Sequence, residues 1–100
     1  MAVSLNAVLE TLRAHEQELR DLGASRVAVF GSIARGEAGP DSDVDVLVDL
    51  DSERQMDIFE YASLKLFIGG LFPGRTDVVN RKTIKPLLRD GILRDAVDVF

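Results

Sequence analysis

The segment from Asp43 to Leu50 reads DVDVLVDL, and its side chains alternate in kind without a break. Successive side chains of an extended strand point to opposite faces, so a period of two in hydrophobicity marks a strand and not a helix. Val44, Val46, Val48 and Leu50 therefore share one face, while Asp43, Asp45, Leu47 and Asp49 share the other. The valine face has to be anchored to helices beneath it. The opposite face is largely acidic, and aspartate is disfavoured in strands, so these carboxylates need a reason other than propensity.

Other elements can be read around this strand. Leu5, Val8, Leu9, Leu12, Leu19 and Leu22 fall near one helical stripe, which predicts a single amphipathic first helix with Gly23 as its C-cap. Arg26 to Phe30 (RVAVF) predicts a short strand, and Gly31, Ser32 and the residues to Gly39-Pro40 a turn, one helical turn at most, and a loop. Ser52 and Gln55 have the spacing of a capping box and predict a helix whose Met56, Phe59, Ala62, Leu66 and Gly70 share a face, ended by Gly69-Gly70. Pro73-Gly74 turn into a third strand, Arg75 to Val79 (RTDVV), after which Thr83 is placed to cap a last helix with Pro86 in its first turn. Ile84, Leu87, Leu88 and Ile92 give that helix its buried side, and the apolar tail from Val97 to Phe100 suits an edge strand or a partner-facing segment.

Helices thus alternate with strands, without an internal repeat, low-complexity tract or linker. A chain of 100 residues supports one core. The expected fold is a single α+β domain over residues 1–100, α/β-like in its alternation, with a small mixed sheet flanked by helices. The chain has no cysteine, which excludes disulfides, thiolate metal clusters and thiol nucleophiles and fits a reducing cytoplasm. Neither a leader pattern nor a run approaching the ~20 apolar residues of a membrane span is present. A net charge of −5 repels polyanions, which argues against long nucleic acid as a partner and requires any phosphate chemistry to recruit cations locally.

Three features then converge: Gly31-Ser32 directly after a strand, Asp43-x-Asp45 at the start of the next, and Asp77 inside the third. Two carboxylates at i and i+2 of a strand leave the same face from Cα atoms ~7 Å apart, a separation from which both can grip a pair of divalent ions. Magnesium suits them, since hard cations prefer carboxylate and phosphate oxygen. Asp77 completes the set if its strand lies beside the second with its side chain on the same face. Gly31 allows a phosphate to approach the backbone, Ser32 offers a hydroxyl and an N–H, and Arg35 is close enough in sequence to add a charge-assisted contact. Each feature alone is weak, because a Gly-Ser after a strand is usually just a turn and an acidic strand face is often simply solvated. Their joint order and spacing carry the reading.

The segment GSIARGEAGPDSDVDVLVDL, Gly31 to Leu50, resembles the signature of the DNA polymerase beta-type nucleotidyltransferase superfamily, in which Gly-Ser precedes Asp-x-Asp by about ten residues. RTDVV resembles the segment carrying that family's third acidic residue, here Asp77. The small size and the ending TIKPLLRDGILRDAVDVF resemble the minimal nucleotidyltransferases that pair with helical HEPN-type toxins. The resemblance implies a single-domain nucleotidyltransferase fold, two magnesium ions on Asp43, Asp45 and Asp77, ATP as substrate, and an antitoxin that transfers AMP to a tyrosine of a HEPN-type toxin within a hetero-oligomer. The helical substrate domain of larger relatives is missing, which favours an acceptor supplied by the partner. The rival reading is an inactive antitoxin that neutralises its partner by binding alone.

Other metal chemistries fit poorly. A calcium loop starting at Asp41 would need Gly where Val46 stands and Glu where Ser52 stands. In a haloacid-dehalogenase-type phosphatase the Asp-x-Asp follows its strand, and a DxD glycosyltransferase needs a much longer chain. His15 reads as a mid-helix surface or packing residue, Tyr61 as a packing or interface residue, and Arg81, Lys82 and Lys85 as a solvated helix start. Phe67, Leu71, Phe72 and Phe100 read as exposed apolar positions suited to a protein interface.

Overall fold

The computed structural model describes residues 4–100. Its elements follow in the order α1 (Leu5–Ala14), α2 (Glu16–Asp21), β1 (Ala24–Phe30), α3 (Gly31–Ala34), β2 (Val44–Leu50), α4 (Ile58–Gly70), β3 (Thr76–Asn80), a 3-10 turn (Arg81–Thr83), α5 (Pro86–Asp95) and β4 (Val97–Asp98). The strands form one mixed sheet in the order β3-β2-β1-β4, as expected for an α+β fold. The β1/β2 and β1/β4 pairs are antiparallel, and β2/β3 is parallel. A parallel pair cannot be joined by a hairpin, and α4 supplies the crossover.

The two faces of the sheet are covered unequally. On the valine side, Val44, Val46 and Val48 are buried with Val27 and Val29 beneath Val8, Leu12 and Leu19 of the N-terminal helices and Leu64 and Ile68 of α4. On the other side, Ala28, Phe30 and Leu47 form a smaller cluster, covered by Ile84, Ile92, Leu93 and Ala96. The face expected to be acidic is therefore apolar in its middle and carries its carboxylates at the ends. Among the described residues no helix is long and apolar enough to cross a membrane.

Several local expectations are corrected. The first helix is two helices, because His15 leaves helical geometry (φ −110°, ψ 21°), and its Nδ1 lies 2.9 Å from Glu18 with its ring edge-on to Phe67. The predicted apolar stripe is nonetheless the buried one. Gly23 closes α2 at φ +109°, and a Cβ there would collide with Met56.

The Ser52/Gln55 capping box is not used. Residues 51–57 are turn and coil, and Asp57 caps α4 by accepting the Glu60 N–H at 2.8 Å. In this helix Leu64 and Ile68 are buried, while Phe59, Ala62, Leu66 and Gly70 of the predicted face are exposed. Thr83 caps nothing in α5, whose N-cap is Lys85 with Pro86 following. Leu87 and Leu88, expected inside, are 98% and 57% exposed, and Ile84 and Ile92 face the sheet. Phe72 is buried and Phe67, Leu71 and Phe100 pack against the main core, Phe100 beneath the Arg20 guanidinium, so these four do not form an exposed patch. Val97–Asp98 is the expected edge strand.

The cap assignment can be checked by urea denaturation. Asp57→Ala is expected to cost about 1 kcal/mol, the ordinary value of a side-chain N-cap. Ser52→Ala is expected to leave stability within about 0.5 kcal/mol of wild type, as surface substitutions do.

Candidate active site

Strand register assembles the site. Phe30 of β1 pairs with Asp45 of β2, and Asp45 pairs with Asp77 of β3. Paired residues of neighbouring strands project from the same face, so Phe30, Asp45 and Asp77 form one lateral row. Asp43 lies two residues before Asp45, where the Val44 N–H donates to the Arg75 carbonyl at 2.9 Å and draws the two strands together. The expected common face for Asp77 is therefore present. It arises because β2 and β3 are parallel neighbours.

Asp45 sits at the centre of the group. Its carboxyl is pushed up to about 6, first by burial, then by the charges of Asp77 and Asp43, with Arg35 acting in the opposite sense. The carboxylates thus act on one another, and half-buried Asp45 bears the consequence because water screens it least. Gly31 lies directly against it, at φ +76°, where a Cβ would fall on the Asp45 Oδ2 atom. Glycine is required here by both the backbone angle and the close approach. Gly31 also opens α3, so the N–H groups of that first turn lie beside the carboxylate row. Ser32 follows it, half-buried, and the loop returns to Asp43 through a tight turn in which Ser42 Oγ accepts the Gly39 N–H at 2.8 Å.

Arg35 is engaged elsewhere. Its Nη1 lies 2.7 Å from Asp95 and its Nε 2.9 Å from Glu37, and these two contacts raise its pKa further. Arg81 holds Asp49, the remaining carboxylate of this strand face, at 2.7 Å. That contact removes Arg81 from the solvated helix start predicted for it and leaves Asp43, Asp45 and Asp77 as the group facing open space.

Every side-chain donor at this group is a hard oxygen, which fits magnesium and not a softer metal. Among the described residues no three acidic, histidine or cysteine side chains close on a common point as a ready-made cage. Two clefts flank the group. One of about 330 Å³ lies between Pro40–Asp43 and Gly74-Arg75, and one of about 420 Å³ runs from Asp77 and Phe30 to α5.

The model of the nucleotidyltransferase domain matches residues 12–99, which include the whole carboxylate group and its glycine turn. The chain belongs to the nucleotidyltransferase domain family. A protein adenylyltransferase, MntA, from Thermococcus cleftensis is 36% identical over 98 residues, which cover 97% of both chains. A solved structure of a candidate minimal nucleotidyltransferase is 44% identical, covers 89% of this chain and 93% of its own, and superposes with a TM-score of 0.67. The fold is shared with an MNT antitoxin in complex with a tri-AMPylated HEPN toxin from Shewanella oneidensis (TM-score 0.63, 15% identity, covering 92% of this chain and 71% of that one). Nucleotidyl transfer is the enzyme activity that membership of the nucleotidyltransferase family carries.

Sequence reasoning passed over the cleft beside Asp77. Its apolar walls come from Phe30, Val79, Ile84, Leu88 and Ile92, which in sequence look like ordinary core residues.

The raised pKa of Asp45 fixes a sign. The folded chain binds that proton more tightly than the unfolded chain, so the Asp45 contribution to metal-free stability is fully present below the ordinary value of 3.8 and is lost as pH rises through about 6. Asp45→Asn should therefore raise the metal-free Tm at pH 7.5, by on the order of 5 °C, with the gain vanishing near pH 4 in calorimetry. Gly31→Ala should destabilise by about 2 kcal/mol or more, read in the same instrument, because it combines a left-handed φ with the Asp45 collision.

Proposed function

We propose that this nucleotidyltransferase moves AMP from ATP to a tyrosine of a HEPN-type toxin, with magnesium held by Asp43, Asp45 and Asp77, and that it acts in the cytoplasm as the antitoxin of that partner. The observation that carries the reading is the lateral row in which Asp45 and Asp77 stand side by side, with Gly31 against the first of them. Carboxylates so crowded at neutral pH call for cations, and an adjoining glycine turn suits a triphosphate. The names of similar proteins support the transferred group and the acceptor: MntA is a protein adenylyltransferase, and a structural neighbour is an antitoxin bound to an AMPylated HEPN toxin.

Asp43 and Asp45 would hold the ions that the triphosphate shares, and Asp77 would complete the shell on the acceptor side. Magnesium, two ions in the filled site, would neutralise charge on the triphosphate and lower the pKa of the acceptor hydroxyl. Gly31 and Ser32 would hold the triphosphate through backbone N–H groups and the Ser32 hydroxyl. Arg35 would join them by exchanging its Asp95 or Glu37 partner for a phosphate oxygen, a trade of one charge-assisted contact for another. The acceptor oxygen attacks the α-phosphorus in line, the bond to the β-phosphate oxygen breaks, and pyrophosphate leaves with that electron pair. An Asp77 carboxylate oxygen takes the hydroxyl proton. Positioning and charge neutralisation supply most of the acceleration.

Incubation of the protein with the HEPN-type protein encoded beside it, ATP and magnesium should add AMP to that partner by intact-mass spectrometry. Asp43→Asn and Asp45→Asn should each slow the addition by about a hundredfold or more, the scale of losing a principal electrostatic group. No adduct from wild type with any of the four ribonucleoside triphosphates would refute the transfer. Undiminished neutralisation of the toxin by the doubly substituted protein would show that binding alone is the function.

A further inference from the structure

The helix α4 is apolar on nearly every side. Its 13 residues, IFEYASLKLFIGG, carry only Glu60 and Lys65 as charges, and a helix that is apolar all round is normally a buried one. Leu64 and Ile68 enter the valine-side core. On the opposite side Ile58, Phe59 and Leu66 are 77%, 76% and 77% exposed. Phe59, Ala62, Leu66 and Gly69 follow one another at alternating steps of three and four residues, the spacing of a single helix seam. The glycines at its end have no explanation within the chain. Gly69 and Gly70 belong to the helix without a positive φ, and a Cβ at either would meet nothing within 4 Å. Glycine is a poor helix former, so this pair weakens α4 and leaves open space above its last turn.

We propose that the exposed side of α4 is the pairing surface of a two-fold dimer of this chain. A two-fold interface has to be complementary to itself, and this seam is. In an antiparallel pairing centred at the level of Leu64, Phe59 of each copy lies over Gly69 of the other, and Leu66 of each lies over Ala62 of the other. Every large side chain then meets a small one, and the helix axes can approach to about 8 Å. The seam itself bears no charge, so two chains of net charge −5 meet there without opposing like charges. Three large side chains about three quarters exposed leave on the order of 400 Å² of apolar surface, and the small residues and the Lys65 stem bring each copy to about 500 Å². Two copies bury about 1,000 Å², the lower end of specific interfaces, and a Kd in the micromolar range is expected. The core under α4 lies on the valine side of the sheet, away from the carboxylates, so pairing leaves both candidate sites open. The proposal does not depend on the transferase reading.

Sedimentation velocity of the full chain from about 1 µM to about 500 µM, a range that brackets such a Kd, should show a reversible passage from monomer to dimer. Leu66→Glu should remain monomeric throughout, with a circular dichroism spectrum like that of wild type. Gly69→Leu separates pairing from folding, because leucine favours the helix and enters open space in the single chain. It should raise the dimer Kd tenfold or more without lowering Tm in dilute solution. A wild-type chain that is monomeric at every concentration, or a dimer that either substitution leaves intact, overturns the proposal. A chain that is monomeric alone, and whose binding to the HEPN-type protein is weakened by Leu66→Glu, overturns it by assigning the face to that partner.

Discussion

The structure turns on one half-buried carboxylate, Asp45, set beside two others. Burial first, and the charges of Asp77 and Asp43 second, disfavour its ionised form and push its carboxyl up to about 6. The elements around it hold the groups together regardless. The valine face of β2 anchors the strand under α1, α2 and α4, and the parallel pairing with β3 sets Asp77 beside Asp45. Gly31 lets the β1-α3 turn come into contact with the Asp45 carboxylate. Carboxylates with raised pKa values cluster at functional sites, which is why Asp45 marks the candidate centre.

The same sheet face holds two environments in adjacent rows. One row carries carboxylates and the next is apolar, so the acidic group and an apolar cleft meet at Asp77. Ile84, from the segment before α5, and Ile92 and Leu93 of α5 pack against Ala28, Phe30 and Leu47 on this face. Arg35 ties α5 to the glycine turn through Asp95, so the cleft wall and the candidate phosphate site are joined by one ion pair.

The strand Val44–Leu50 was legible because alternation over its whole length leaves no helical solution, and Asp45 and Asp77 stood out because aspartate within a strand is exceptional, with Asp43 just ahead of β2. The helical faces were read less well. The α4 helix is capped by Asp57 and not by the predicted Ser52, and the side it buries is that of Leu64 and Ile68. In α5 the pattern Ile84, Leu87, Leu88, Ile92 has helical spacing, yet Ile84 precedes the helix and reaches the sheet from the segment after the 3-10 turn. Leu87 and Leu88 are left outside. The break at His15 has no local marker such as glycine or proline. The cleft beside Asp77 was invisible because its walls come from three separated segments of apolar residues, each of which alone looks like core.

The central claim is that Asp43, Asp45 and Asp77 form one centre for magnesium and a nucleoside triphosphate. It is tested most directly by following the Asp45 side-chain carboxyl signal by NMR through a pH titration, with and without magnesium and a non-hydrolysable ATP analogue. The account predicts a midpoint near the value of about 6 in the free protein and a fall below the ordinary aspartate value of 3.8 when both are added. A midpoint that does not move on adding them would contradict it.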